Sequence, residues 1–377
     1  MKPSRAAALR NSGAPRILLF GLVWMSLFAY AGRPLLVAAH AARVAPAIAW
    51  SGLFLIALLP GLPVLVRRTD PLQRRSLMHW IGYATLAVFS TLLTLVFLGD
   101  IFRVLAPAFV NVRTISFLIL GSAGALSLVG LAQARCPRVR RVAIPVVNLP
   151  AELDGYRIVQ WSDVHVGPTI RRRFVESLVE RTNAIGADAV VITGDLVDGY
   201  LDELREQVEP LSGLRARDGV FFVTGNHEYY WRASEWVAEL QRLGLTFLKN
   251  SHRVIQRGEA RLVLAGITDP VGRYTHKSDP DAALAGAPAD AFKVLLSHRP
   301  QAARAADRLG VGLQLSGHTH GGQFFPFNLV IRFFQPIVAG LHRVGQTWLY
   351  VSRGTGYWGP PSRLGVHGEI TLLELTR

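Results

Sequence analysis

Five short polar clusters in the second half of the chain hold most of the residues able to do chemistry. They are Asp163-Val-His165, Gly194-Asp195-Leu-Val-Asp198, Gly225-Asn226-His227-Glu228, Ser297-His298 and Gly317-His318-Thr-His320. Imidazole nitrogens with carboxylate or amide oxygens, and no thiolate, suit divalent Mn, Fe, Zn or Co far better than Cu(I). In an extended segment residues i and i+2 point the same way. Asp163 with His165, and His318 with His320, can therefore each present two donor atoms to one place. Taken singly, each cluster has an ordinary reading: Asp-x-His as a surface turn, Gly-Asp and Asn226 as turn formers. Their recurrence in this order is poorly explained by turns alone.

The clusters need a rigid support, and the sequence supplies one. Nearly all of them follow runs rich in β-branched and apolar residues: Arg157-Ile-Val-Gln-Trp-Ser, Ala189-Val-Val-Ile-Thr, Val220-Phe-Phe-Val-Thr and Lys293-Val-Leu-Leu-Ser, with Arg261-Leu-Val-Leu-Ala as a further run. Near-continuous apolar strands are buried on both faces, and helical stretches at 172–184 and 234–242 fall between some of them. The pattern predicts a layered α/β domain over residues 142–377. Strand-end loops are where such folds place ligand sites.

Residues 1–141 differ in kind. The formal charge of the chain is +15, and residues 1–150 carry 16 Lys and Arg against only Asp70 and Asp100, so an excess of 14 lies there. Basic residues clustered beside apolar runs are a membrane pattern, not a nucleic-acid footprint, and no nucleic-acid partner is expected. The apolar runs 17–32, 44–66, 77–99 and 114–134 are marked off by these charges, and about 20 apolar residues cross a bilayer. The last three qualify directly. The first qualifies when extended, which places four transmembrane helices near 17–42, 44–66, 77–102 and 114–134. A signal peptide is the alternative for the first run, given Lys2, Arg5, Arg10 and Arg16 before it, but no clear small-residue cleavage site closes it. Four basic residues lie in each of the N-terminal tail, the 67–76 loop and the 135–141 segment, whereas the alternate loops hold two each. The positive-inside rule then puts both termini, and the large domain, on the cytoplasmic side of the cell membrane. Cys136 is the only cysteine, which excludes an intrachain disulfide and offers no Cys-ligated zinc site.

In order and spacing, Asp-x-His, Gly-Asp-x-x-Asp, Gly-Asn-His-Glu, a lone His after a strand and Gly-His-x-His resemble the signature of calcineurin-like metallophosphoesterases. The longer strings Gly225-Asn-His-Glu-Tyr-Tyr230 and Gly317-His-Thr-His-Gly-Gly-Gln323 resemble the membrane-associated bacterial branch. The resemblance covers about residues 142–377 and not the helical region. It implies a four-layer α-β-β-α sandwich and two divalent metal ions. Asp163, His165 and His320 would hold one ion, Asn226, His298 and His318 the other, and Asp195 would bridge them. It also implies that His227 contacts substrate phosphate and acts as general acid, oriented by Asp198. A pair of such ions clamps both ends of an in-line phosphoryl displacement and activates a hydroxide.

The expected activity is hydrolysis of a phosphoester or pyrophosphate bond. Membrane tethering favours membrane lipid as partner and a lipid-linked substrate, as in enzymes that act on a UDP-diacylglucosamine lipid. The alternatives are a phosphodiesterase acting on a soluble nucleotide or nucleic acid, and a catalytically silent sensor or scaffold. Arg299, Arg353, His252 and His276 are weaker candidates for phosphate contacts. The aromatic run at 324–334 is too short to span a bilayer, so core packing is the first expectation and contact with lipid the second.

Overall fold

The computed structural model describes residues 14–66, 72–109, 111–272 and 276–377. The basic residues Lys2, Arg5, Arg10, Arg67 and Arg68, and Asp70, lie outside these. The chain divides into two compact units, Met1–Val129 and Gly130–Arg377.

The first unit is helical: α1 (Ala14–Ala31), α2 (Arg33–Ala41), α3 (Pro46–Leu58), α4 (Leu72–Leu105) and the greater part of α5 (Val112–Arg135). Among the described residues three stretches, Pro46–Leu65, Arg74–Leu105 and Val112–Arg135, are long and apolar enough to cross a membrane, and α1 with α2 forms a further span if the pair is counted as one. That pair is bent by 47°. Pro34 in the first turn of α2 explains the break, since proline has no N–H to continue the ladder. Inside the unit Phe28 stacks on Phe89 with centroids 3.9 Å apart, and Trp24 Nε1 donates to the Ala57 carbonyl. Asp100, an acid within an apolar helix, is engaged by Arg33 at 2.5 Å and by the Tyr30 hydroxyl at 2.8 Å. Around this small core, Ile17, Leu18, Phe20 and Leu22 are all more than 60% exposed, which suits a hydrocarbon environment and not water.

The second unit is the layered α/β domain. One six-stranded sheet runs in the order β1-β12-β2-β3-β4-β5, from β1 (Arg138–Pro145), β2 (Arg157–Trp161), β3 (Ala189–Ile192), β4 (Val220–Phe222), β5 (Thr246–Phe247) and β12 (Glu369–Thr376). The other runs β10-β11-β9-β8-β7-β6, from β6 (Ser251–Arg257), β7 (Ala260–Gly266), β8 (Phe292–Leu296), β9 (Leu313–Ser316), β10 (Gly340–Val344) and β11 (Thr347–Val351). The unit begins before the composition change at Val142 because β1 already pairs along its length with β12, from Arg138 opposite Glu369 to Pro145 opposite Thr376.

Side chains alternate across each strand, and this builds the layers. In β3, Val191 faces the other sheet with Ile158, Leu262, Val294 and Leu373, all buried between the sheets. Its neighbours Val190 and Ile192 face outward, under α6 (Arg172–Ile185) with Phe174 and Leu178 and α9 (Ala233–Arg242) with Trp236 and Leu240. Between these two in the chain lie α7 (Leu201–Val208) and α8 (Asn226–Tyr230). The outer face of the second sheet, Val263, Ala265 and Leu295, is covered by Ala283 of α10 (Pro280–Leu284) and Ala306 of α11 (Ala303–Arg308). Each fully buried aliphatic side chain contributes about 1.5–3 kcal/mol to such a core. The result is the expected helix-sheet-sheet-helix order.

Candidate metal centre

Strands β2, β3 and β4 run parallel, as do β8 and β9, and the five polar clusters leave their C-terminal ends. The loops are tied together by backbone hydrogen bonds: Asp163 N to Gly194 O, His165 N to Asp195 O, and Asp198 N to Val166 O, at 2.8–3.1 Å. Asp163, His165, Asp195, His318 and His320 all have φ between 52° and 73°, a left-handed conformation that side chains other than glycine seldom adopt. Asp and His are among the residues that tolerate it best, and its concentration at one site marks a backbone held for function. The glycines have a different task. A Cβ on Gly225 would lie 2.2 Å from Asp195 Oδ1, and one on Gly317 would lie 2.3 Å from Asp163 Oδ2, so no larger residue fits against these carboxylates.

Three overlapping groups of donor atoms converge: Asp163 with His165 and His320, His165 with Asp195 and His227, and Asp195 with His298 and His318. His165 Nε2 and His320 Nε2 are 3.1 Å apart, and His298 Nε2 and His318 Nδ1 are 3.2 Å apart. Two nitrogens each about 2.0–2.1 Å from one ion stand at roughly such a separation. Asp195 Oδ2 lies 3.2 Å from His298 Nε2 and 3.9 Å from His165 Nε2, between the two histidine pairs. Asp163 Oδ1 is 3.5 Å from His320 Nε2. Asn226 begins α8, and its Oδ1 is buried without a hydrogen-bond partner. A buried amide oxygen left without a donor is costly, and a cation is one thing that satisfies it. The donor set and this orphaned oxygen fit a divalent metal.

The electrostatics agree. Burial pushes Asp163 up to about 6 and drives His165 and His318 down to about 4. Burial acts to lower His298 too, but Asp195 beside it outweighs that and raises it to about 10. Asp195 is held far below the usual carboxylate range, its burial overcome by His298. Without a cation this cluster can settle its charges only by taking up protons, and a metal takes the proton's place. His298 Nδ1 lies 2.8 Å from the Thr193 carbonyl, a contact that directs Nε2 toward Asp195.

His227 sits at the edge of the centre. Its Nδ1 pairs with Asp198, its Nε2 is 4.0 Å from Asp195 Oδ2, and its backbone N–H donates to Asp195 Oδ1. Its ring edge meets His165 and, on the outer side, Trp358.

Two residues that the sequence left without a role support the site. Glu228, fully buried, accepts the backbone N–H groups of Gly225, Asp195, Leu196 and Val197, which fastens the β3 loop to the β4 loop. Burial lifts its carboxyl to about 7. Its place in Gly-Asn-His-Glu was the available signal. Arg363, also fully buried, donates to the carbonyls of His320, Arg353 and Gly356, and its guanidinium lies 3.2 Å from His320 Nδ1. Nothing in the sequence around Arg363 marks it. The weaker candidates have structural partners: Arg299 pairs with Asp269, Arg353 with Glu369, His252 with the Ala283 carbonyl and His276 with the Tyr229 hydroxyl.

The family model described as calcineurin-like phosphoesterase matches residues 156–322, the span that holds all these clusters. A Danio rerio protein named transmembrane protein with metallophosphoesterase domain is 40% identical over 262 residues, covering 66% of this chain and 60% of the relative. Its Bos taurus namesake is 43% identical over 265 residues, with the same coverage of 66% and 60%. The chain thus spans about 60% of the length of these two relatives. An uncharacterized metallophosphoesterase of Aquifex aeolicus is 33% identical over 248 residues, which are 63% of this chain and 91% of that protein. The N-terminal region holds helices long and apolar enough to cross a membrane, and the α/β unit belongs to the calcineurin-like phosphoesterase family.

Proposed function

We propose that the protein is a membrane-anchored, metal-dependent hydrolase of a phosphoester or pyrophosphate bond, with the substrate's phosphate presented by a lipid. The observation that carries the reading is the convergence of Asp163, His165, Asp195, His298, His318 and His320, with Asp195 shared between two donor groups and Asn226 Oδ1 unpartnered nearby. In this reading Asp163, His165 and His320 would hold one divalent cation, Asn226, His298 and His318 would hold a second, and Asp195 would serve both. Divalent cations there supply positive charge to the phosphoryl transition state and acidify the attacking water.

The chain's own groups do the rest. The left-handed turns at Asp163, His165 and Asp195 orient the donors before substrate arrives. His227, with Asp198 on Nδ1, keeps Nε2 free to hold a proton toward a leaving oxygen. In the membrane reading, α1 with α2 and then α3, α4 and α5 cross the bilayer, and the alternation of basic loops holds the α/β unit at the cytoplasmic face. A catalytic unit kept there meets lipid-linked esters, including nucleotide-linked glycolipids, at high local concentration.

Purified protein loaded with Mn and incubated with a membrane lipid extract beside a nucleotide panel tests this, with products followed by mass spectrometry. Release of a phosphorylated head group or nucleotide from lipid supports the reading. Turnover confined to water-soluble nucleotides replaces the lipid-linked substrate with a soluble one. Purified protein with neither metal nor turnover returns it to the sensor or scaffold class.

A further inference from the structure

Beyond His320 the chain enters the aromatic run that the sequence assigns first to the core, and the structure turns it outward. Residues 324–334 form one short helix, α12 (Phe327–Val330), and a following 3-10 turn, Ile331–Phe333. Phe333 is 87% exposed and Phe334 74%, with Phe327, Leu329 and Val330 between 41% and 52%. Core residues do not have such values.

The opposite side of the segment shows why it cannot fold inward. A Cβ on Gly322 would lie 2.4 Å from Asn328 Cα, so α12 is seated directly on the turn that follows His320. The Thr319 hydroxyl donates to the Val338 carbonyl, and Phe325 N–H to the Leu364 carbonyl. The Gln323 side chain donates to the Trp358 carbonyl and accepts from the Trp358 N–H. The segment is fixed through its backbone and through Ile331 against Gly322, while Phe327, Leu329, Val330, Phe333 and Phe334 face away. Trp358, itself 52% exposed, continues the apolar surface to His227, where the two rings are 5.7 Å apart.

We infer that this surface is an interfacial wedge: the segment 324–334, with Trp358, enters the lipid surface beside the metal centre and receives a lipid phosphate there. The inference rests on the membrane-anchored reading above. Three observations favour lipid as the occupant. Only Cys136 and Pro137 separate α5 from β1, so a domain following a membrane span so closely stays at the bilayer. Residues 324–338 contain Arg332 as their one charged residue, exposed among the aromatics, which matches anionic head groups. Alongside lies a cavity of about 440 Å³ whose apolar lining includes Pro300, Ile337 and Val344, with the paired Gln301 and Gln335 and Arg304 as its polar side, a mixed surface that suits an acyl segment under a charged head.

The test uses the full chain in phosphatidylcholine and phosphatidylglycerol vesicles. In a Cys136→Ser background, Phe333→Cys is labelled with an environment-sensitive fluorophore, and Glu180→Cys, on α6, serves as reference. The label at 333 is expected to emit blue-shifted relative to the reference and to be quenched by lipids carrying a nitroxide on the acyl chain. Emission like the reference with no quenching overturns the inference. A blue shift without lipid quenching also overturns it, because the surface then meets protein. A second arm compares Phe333→Ser with Phe334→Ser combined against the unmodified chain. Hydrolysis of a soluble aryl phosphodiester should stay within about twofold while hydrolysis of vesicle-borne lipid ester falls by roughly an order of magnitude. Equal losses on both overturn the wedge in favour of a structural segment. Fluorescence quenching in a protein that hydrolyses no ester would keep the wedge and remove the hydrolase reading.

Discussion

His227 holds Nδ1 2.9 Å from Asp198 Oδ1, and Trp231 Nε1 reaches the same oxygen at 2.8 Å. One carboxylate oxygen therefore fixes the imidazole and is itself fixed by the indole. Burial acts to raise Asp198, but His227, His165 and the Trp231 hydrogen bond together outweigh it and lower the carboxyl. His227→Ala is expected to retain bound metal and to lose roughly 10²- to 10⁴-fold in rate on a substrate with an alkoxide leaving group. An aryl phosphate, whose leaving group needs little protonation, should recover part of that loss. Equal losses on both substrates would make His227 a phosphate contact and not a proton donor, and loss of metal would make it a ligand.

Asn226 precedes it and should behave differently. Asn226→Ala is expected to lower metal content, with one site weakened by about tenfold or more, the scale of even a supporting contact to a metal. Elemental analysis of the two variants side by side separates the roles. Unchanged metal content in Asn226→Ala would leave its buried oxygen unexplained.

Asp195 lies between the two histidine pairs, so Asp195→Asn should remove turnover and reduce metal occupancy together. Two cations close together repel, and a shared anion offsets that repulsion. Near-normal activity with two equivalents of metal would take the bridging role away from this carboxylate.

Glu228 gathers four backbone N–H groups from two loops. Glu228→Ala strips these donors of their partner, and unsatisfied buried groups cost about 1–3 kcal/mol each before relaxation. A loss of about 3 kcal/mol or more is expected in urea unfolding of metal-depleted protein, followed by tryptophan fluorescence. An unchanged midpoint would show that the two loops hold their positions without the clamp.

Topology has its own check. A reporter fused after Arg377 should behave as cytoplasmic, because the segments with four basic residues alternate with those holding two. Cleavage of the α/β unit by protease added outside intact cells would reverse the orientation.

Much of the centre was readable because its donors leave strand ends in compact motifs, where a near-continuous apolar run stops at a Gly, Asp or Asn. The strands themselves were equally plain: β3 and β4 coincide with their β-branched runs. What escaped depends on contacts between distant segments. Glu228 stood in the Gly-Asn-His-Glu cluster without a role, and only the return of the β3 loop makes it a four-way acceptor. Arg363 lies among glycines and prolines with no periodicity, and its burial follows from the way that loop folds under His320. The aromatic run at 324–334 misled for the opposite reason. Composition records hydrophobicity but not which side faces out, and Gly322 decides that by admitting α12 so closely.

The position of β12 sets a schedule for the molecule. β1 pairs with β12, and β12 also pairs with β2, so the strand latest in chain order among the described residues lies between the first two. On a ribosome adding about 5–20 residues per second, β1 waits roughly tens of seconds for its partner to emerge. During that interval the helices of the first unit have already been made, while Ile144 and Ile158 lack the strand that later pairs beside them. The order of synthesis therefore delays closure: the nascent domain stays open at this sheet until residues 369–376 have been made.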